Sequence, residues 1–107
     1  MGSLTPPPLR MVAVFCYDVA SADKAGRRRL ARVAKLLERY GTRVQYSVFE
    51  VRMDDRAISM IRDSVLELMD TDEDSLRVYR VEESCIDRVE QLGRQPEHEF
   101  LGQTLIF

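Results

Sequence analysis

No stretch of about eighteen consecutive apolar residues occurs in the 107-residue chain, so no membrane-spanning helix is expected. The segment Met1–Leu9 lacks both an apolar core and a small-residue cleavage site, and a secretory signal is not expected either. Metal-binding residue types are scarce. The single histidine, His98, lies in a polar loop and receives no role, and the two cysteines, Cys16 and Cys85, lack metal-ligand spacing. Both read as reduced thiols of an intracellular, cytoplasmic protein, with Cys16 serving as a small hydrophobe. Acids alternate through Asp70-Thr71-Asp72-Glu73-Asp74 as in a calcium loop, but Ser75 stands where the sharp-turn glycine belongs and Val81 where the bidentate acid belongs. That segment reads as a solvated acidic turn. No internal repeat or low-complexity block is present. Pro6, Pro7 and Pro8 favour an extended arm, so residues 1–10 are expected to be disordered ahead of a single domain over residues 11–107.

A net charge of −2 conceals an uneven distribution. From Arg10 to Met53 there are ten Lys or Arg against four Asp or Glu, a balance of +6; from Asp54 onward there are six against fourteen, a balance of −8. A basic first half can offer a local positive surface to phosphates although the whole chain is acidic.

The chain is organised around Met11-Val12-Ala13-Val14-Phe15-Cys16-Tyr17-Asp18, an apolar strand that stops on a carboxylate. With no period-two polar alternation, it reads as buried on both faces. Asp18 at its end caps the following turn, is paired, binds a metal or points into a wet mouth, because an unpaired buried charge costs several kcal/mol. Ser21 or Asp23 is positioned to cap a helix from about Lys24 to Tyr40, with Gly41 as a left-handed terminator. At 100° per residue, Leu30, Val33, Ala34, Leu37 and Tyr40 share one face. Arg28, Arg32, Lys35 and Arg39 lie opposite, flanked at the first turn by Arg27 and Arg29. Only Glu38 interrupts this cationic stripe, so few intrahelical ion pairs are available. At about 1.5 Å per residue it extends over roughly two dozen ångströms, enough to follow several phosphates.

Arg43 to Arg52 reads as a second strand, its imperfect alternation hinting at a bulge or at one face turning from solvent to a partner. Asp54 and Asp55 cap a second helix carrying Ile58, Ile61, Val65 and Leu68 and ending near Met69; its exposed acids Asp63, Glu67 and Asp70 make it unsuited to DNA. Ser75–Val81 reads as a third strand, Glu82–Ile86 as a turn or short helical piece, and Asp87–Gly93 as a fourth, edge strand. The apolar terminus Thr104–Phe107 is expected to add a strand to a sheet. Four strands and two amphipathic helices of this kind imply an α+β, ferredoxin-like βαββαβ fold with both helices on one face of an antiparallel sheet and an extra C-terminal strand. The first strand is apolar on both sides, Val12, Val14 and Cys16 on one and Met11, Ala13, Phe15 and Tyr17 on the other, so the face away from the helices is expected to be covered, which implies face-to-face association of two copies.

Three blocks carry a family likeness: Val14-Phe15-Cys16-Tyr17-Asp18-Val19; Arg27-Arg28-Arg29-Leu30 with Leu37-Glu38-Arg39-Tyr40-Gly41; and Arg43-Val44-Gln45-Tyr46-Ser47-Val48-Phe49-Glu50. Together they resemble the Cas-two family, small CRISPR-associated proteins of the spacer-acquisition machinery. The resemblance implies a ferredoxin-like homodimer in which the end-of-strand aspartates, here Asp18, face one another across the two-fold axis. It also implies a magnesium- or manganese-dependent endonuclease activity on RNA or DNA, the metal being shared by the two Asp18 side chains with Tyr17 and Ser47 nearby. Arg27, Arg28, Arg32, Lys35 and Arg39 would hold nucleic acid, and the dimer would bridge copies of the CRISPR integrase. A non-catalytic, DNA-bridging scaffold is the other face of the same resemblance. The alternative of another class, a ferredoxin-like small-molecule sensor, needs a glycine-lined loop after the first strand, and Val19–Asp23 has none.

Overall fold

The computed structural model describes residues 10–20 and 23–94. Its elements are β1 (Arg10–Val19), α1 (Lys24–Glu38), β2 (Gly41–Gln45), β3 (Val48–Asp54), α2 (Asp55–Leu68), β4 (Asp74–Glu82) and a 3-10 helix (Glu83–Arg88). The four strands form an antiparallel sheet in the order β2-β3-β1-β4, with β1 in the interior as its apolar sequence requires. Both helices pack on one face, which gives the expected ferredoxin-like α+β fold.

Pleating assigns alternate residues of β1 to opposite faces. Ala13, Phe15 and Tyr17 meet Phe49 and Val51 of β3, Leu30, Val33, Ala34 and Leu37 of α1, and Ile58, Ile61 and Val65 of α2 in one core. Each large side chain buried there contributes about 1.5–3 kcal/mol. Val12, Val14 and Cys16 face the other way. Val12 is fully covered, and the 3-10 helix that contacts β1 and β4 closes over that end of the sheet, where Glu83 approaches Arg10 at 3.9 Å and Arg52 at 4.0 Å. Val14, Cys16, Val48 and Tyr79 remain partly or wholly accessible on this second face.

Aspartates start both helices. Asp23 accepts the Gly26 amide at 2.8 Å and Asp54 accepts the Ala57 amide at 2.8 Å, each the kind of cap worth about 1 kcal/mol.

Four expectations change. Arg43–Arg52 is not one bulged strand but the hairpin β2–β3, turning at Tyr46 and Ser47, and the irregularity lies between Arg43 and Gln45. Asp87–Gly93 forms no strand: the chain runs from the 3-10 helix into exposed, irregular backbone, and Asp74–Glu82 takes the fourth place in the sheet. α1 ends two residues before Tyr40, which is partly exposed beyond it. Gly41 is not a left-handed terminator, since among the described residues only Gly93 has positive φ. Gly41 opens β2 where the backbones crowd: a Cβ there would lie 2.1 Å from the Glu50 carbonyl oxygen. The terminal strand expected at Thr104–Phe107 and His98 lie outside the described residues.

Candidate nucleic-acid interface and carboxylate site

The helical period sets the cationic surface. With Leu30, Val33, Ala34 and Leu37 turned into the core, Arg28, Arg32, Lys35 and Arg39 emerge on the exposed side of α1. Among the described residues none of these four side chains makes a hydrogen bond or an ion pair, so their charge is available to an outside anion. Arg27 is also exposed and borders a groove between α1 and the β2–β3 hairpin.

Arg29 behaves differently from its neighbours. Its Nε donates to Asp74 Oδ2 at 2.7 Å and its Nη2 to Oδ1 at 3.1 Å, a bidentate pair joining the first turns of α1 to the start of β4. The Asp74 side chain is completely buried, and it also accepts from the Tyr17 hydroxyl and, at 3.1 Å, from the Asp70 amide. Burial pushes the Asp74 carboxyl up, but the donors from Arg29, Tyr17 and Asp70 outweigh it and hold the group below its ordinary value. Tyr17 moves the opposite way: burial first, then the bond to Asp74 and its negative charge, raise the phenol well above its usual range. The hydrogen bond to Asp74 raises the Arg29 guanidinium, fixing it as a cation.

This network corrects one reading and refines another. The turn Asp70–Asp74 is not uniformly solvated, because its last acid is the buried anchor of three elements. Tyr17 borders the Asp18 cleft with its hydroxyl turned to Asp74 in the helix-covered core; the residue is 2% exposed, while Asp18, one residue on, projects from the opposite face of β1 into solvent.

Backbone pairing brings the remaining predicted residues together. Asp18 pairs with Ser75 across β1 and β4, and the Tyr17 amide donates to the Ser47 carbonyl at 3.0 Å, which holds the hairpin turn beside the end of β1. The result is an open cleft of about 280 Å³ bordered by Cys16, Tyr17, Asp18, Ser47, Ser75 and Arg77. It offers one exposed carboxylate, two serines and a cation at the mouth of the sheet. Among the described residues no group of three or more His, Cys, Asp or Glu is placed to hold a metal ion, and Asp18 is the carboxylate bordering this cleft. No helix among the described residues is long and apolar enough to cross a membrane.

Sequence reading missed the Asp74 anchor and the Arg43–Tyr46 stack on the hairpin. Arg43 donates from Nε to the Tyr46 carbonyl at 2.7 Å and lies 5.0 Å from the Tyr46 ring centre and 5.3 Å from that of Phe49. The three-residue spacing of Arg43 and Tyr46 was a usable signal only once the turn between them was known.

A sequence profile described as CRISPR associated protein Cas2 matches residues 11–89. The CRISPR-associated endoribonuclease Cas2 of Nitratidesulfovibrio vulgaris is 36% identical over 96 residues, covering 90% of this chain and 94% of that protein. The CRISPR-associated endonuclease Cas2 of Halalkalibacterium halodurans is 37% identical over 91% of this chain and 100% of its own length. The crystal structure of Streptococcus pyogenes Cas2 at pH 6.5 superposes with a TM-score of 0.71 at 39% identity, covering 77% of this chain and 99% of that one. With profile, sequence relatives and fold in agreement, the chain belongs to the CRISPR-associated Cas2 family.

Proposed function

We propose that the protein binds nucleic acid along α1 and acts in CRISPR spacer acquisition as a homodimer that bridges copies of the integrase. The carrying observation is the exposed row Arg28, Arg32, Lys35 and Arg39, which has no partner among the described residues. A row of unpaired cations on one helix is suited to successive backbone phosphates, contacts that give affinity and register rather than sequence choice. The half-accessible apolar residues Val14, Cys16, Val48 and Tyr79 support association through the second sheet face. Edge strands β2 and β4 leave main-chain groups for an integrase to engage.

The test is binding of a labelled duplex at several salt concentrations. Wild type should lose affinity steeply, with a slope of about 0.9 per neutralised phosphate, and Arg28→Glu with Arg32→Glu should lower that slope by about two contacts. An unchanged slope in the double variant removes α1 as the interface. Co-purification with the integrase, followed by a spacer-integration assay, tests the bridging role; integration undiminished without this protein refutes it.

A metal-dependent endonuclease is the second reading, favoured by the exposure of Asp18 beside Ser47 and Ser75 on the face where two copies would meet. Two copies contribute two Asp18 carboxylates, the number magnesium commonly takes from protein when waters and phosphate complete its shell. A bound magnesium or manganese ion would polarise a phosphoryl oxygen and lower the pKa of a water. Asp18 would hold the ion, Ser47 would hydrogen-bond at the cleft, and the α1 cations would position the strand. Asp18→Ala should abolish magnesium-dependent cleavage of RNA or DNA while sparing duplex binding; equal cleavage by the variant assigns the activity elsewhere.

A further inference from the structure

The groove between α1 and the β2–β3 hairpin has a volume of about 460 Å³ and a composition that the phosphate row does not use. Its floor is Leu30, Ala31 and Ala34, and its far wall is the stacked pair Arg43 and Tyr46. Tyr46 is 67% exposed although it is aromatic, and Arg43 braces it from the hairpin side. Glu38 also lines the groove: its Oε2 is buried without a hydrogen-bond partner among the described residues and forms an ion pair with Arg43 Nη1 at 3.9 Å, while the side chain as a whole is 21% exposed. A carboxylate with fewer donors than its lone pairs can take is a ready acceptor for an incoming N–H group.

We propose that this groove is a subsite for an unstacked guanine base carried on a nucleic-acid strand. The inference rests on the reading of α1 as the nucleic-acid interface and deepens it, because Lys35 belongs both to the rim of the groove and to the exposed cationic row. A strand tracking along α1 would therefore pass the opening. An aromatic ring braced by a guanidinium is a stacking platform for any base. Glu38 supplies the selection. Guanine presents N1–H and the exocyclic amine side by side on its Watson–Crick edge, donors that a carboxylate accepts, whereas thymine offers one ring N–H between two carbonyls that face the carboxylate unfavourably. In a duplex those donors are already paired, so the site selects single-stranded overhangs or extruded bases.

The test uses full-length protein and fluorescence-labelled duplexes that end blunt, in a short thymidine overhang, or in the same overhang with a central guanine or inosine. Wild type should prefer the guanine overhang to the all-thymidine one by about tenfold, and inosine, which lacks the exocyclic amine, should lose most of that preference without any change to the protein. Glu38→Gln should bring the guanine-to-thymine ratio close to one, and Tyr46→Leu should weaken overhangs of every sequence relative to the blunt end. Blunt duplex binding with equal affinity for all overhangs overturns the subsite and leaves the backbone interface standing. Failure to bind any of these duplexes overturns both. Binding of free GMP without overhang preference also overturns a strand-borne guanine.

Discussion

Asp74 lies in a five-residue segment with three other acids, yet it alone is buried and receives donors from three parts of the chain. Replacing it with Asn should cost roughly 3 kcal/mol in chemical denaturation, the low end for breaking a buried ion pair because Arg29 can still reach water. The pH dependence carries a sign. A carboxyl held low in the folded state stabilises above its unfolded value near 4, and that contribution is lost as pH falls through the folded value. Thermal unfolding of wild type should therefore weaken with acid below about pH 4, and Asp74→Asn should flatten this part of the profile. For Tyr17 the folded phenol is raised, so stability is complete below its ordinary value of 10.0 and declines as pH rises beyond it. Tyr17→Phe should be less stable at neutral pH but lose much of that alkaline decline, as followed by circular dichroism. Neither role was legible in the sequence: Asp74 looks like one more solvated acid and Arg29 like one of three equivalent arginines. What distinguishes them is a contact across 45 residues, which local pattern does not encode.

At the scale of elements, periodic segments were readable and the hairpin was not. Leu30, Val33, Ala34 and Leu37 recur at helical spacing, so α1 and its cationic face follow directly from the sequence. The turn between β2 and β3 falls on Tyr46-Ser47, a pair without glycine, asparagine or proline, and no non-glycine residue among those described adopts positive φ. Without left-handed turn chemistry to mark it, the alternation of Val44, Tyr46 and Val48 runs across the reversal and imitates one strand. Gly41 supplies the compensating signal, though for a reason other than helix termination. Gly41→Ala would push a methyl into the Glu50 carbonyl and should destabilise by roughly 1–3 kcal/mol or more, as read by urea denaturation. An alanine variant as stable as wild type would show that β2 and β3 can separate freely.

For the whole molecule, the two faces of the sheet have unlike fates. The helices cover one, whereas the other is sealed over Val12 and left open across Val14, Cys16, Val48 and Tyr79. Sedimentation should report a dimer for wild type, and Val14→Glu with Tyr79→Glu should report a monomer of unchanged helical content, because a charge buried at a subunit contact costs several kcal/mol. A dimer that persists in this variant places the contact elsewhere. The apolar character of β1 announced two buried faces, but not which residues of the second face the chain would cover itself, since the 3-10 helix that does so has no periodic signature.

The Arg29–Asp74–Tyr17 junction also bears on how force passes through the domain. Tyr17 and Asp18 are consecutive on β1, so a helix riveted to the first is held at one setting against the second. On the proposed reading, a polyanion reaching α1 would meet a helix that cannot rock like a hinged plate, because the offset between that helix and the acidic tip of the strand is cast when the chain folds.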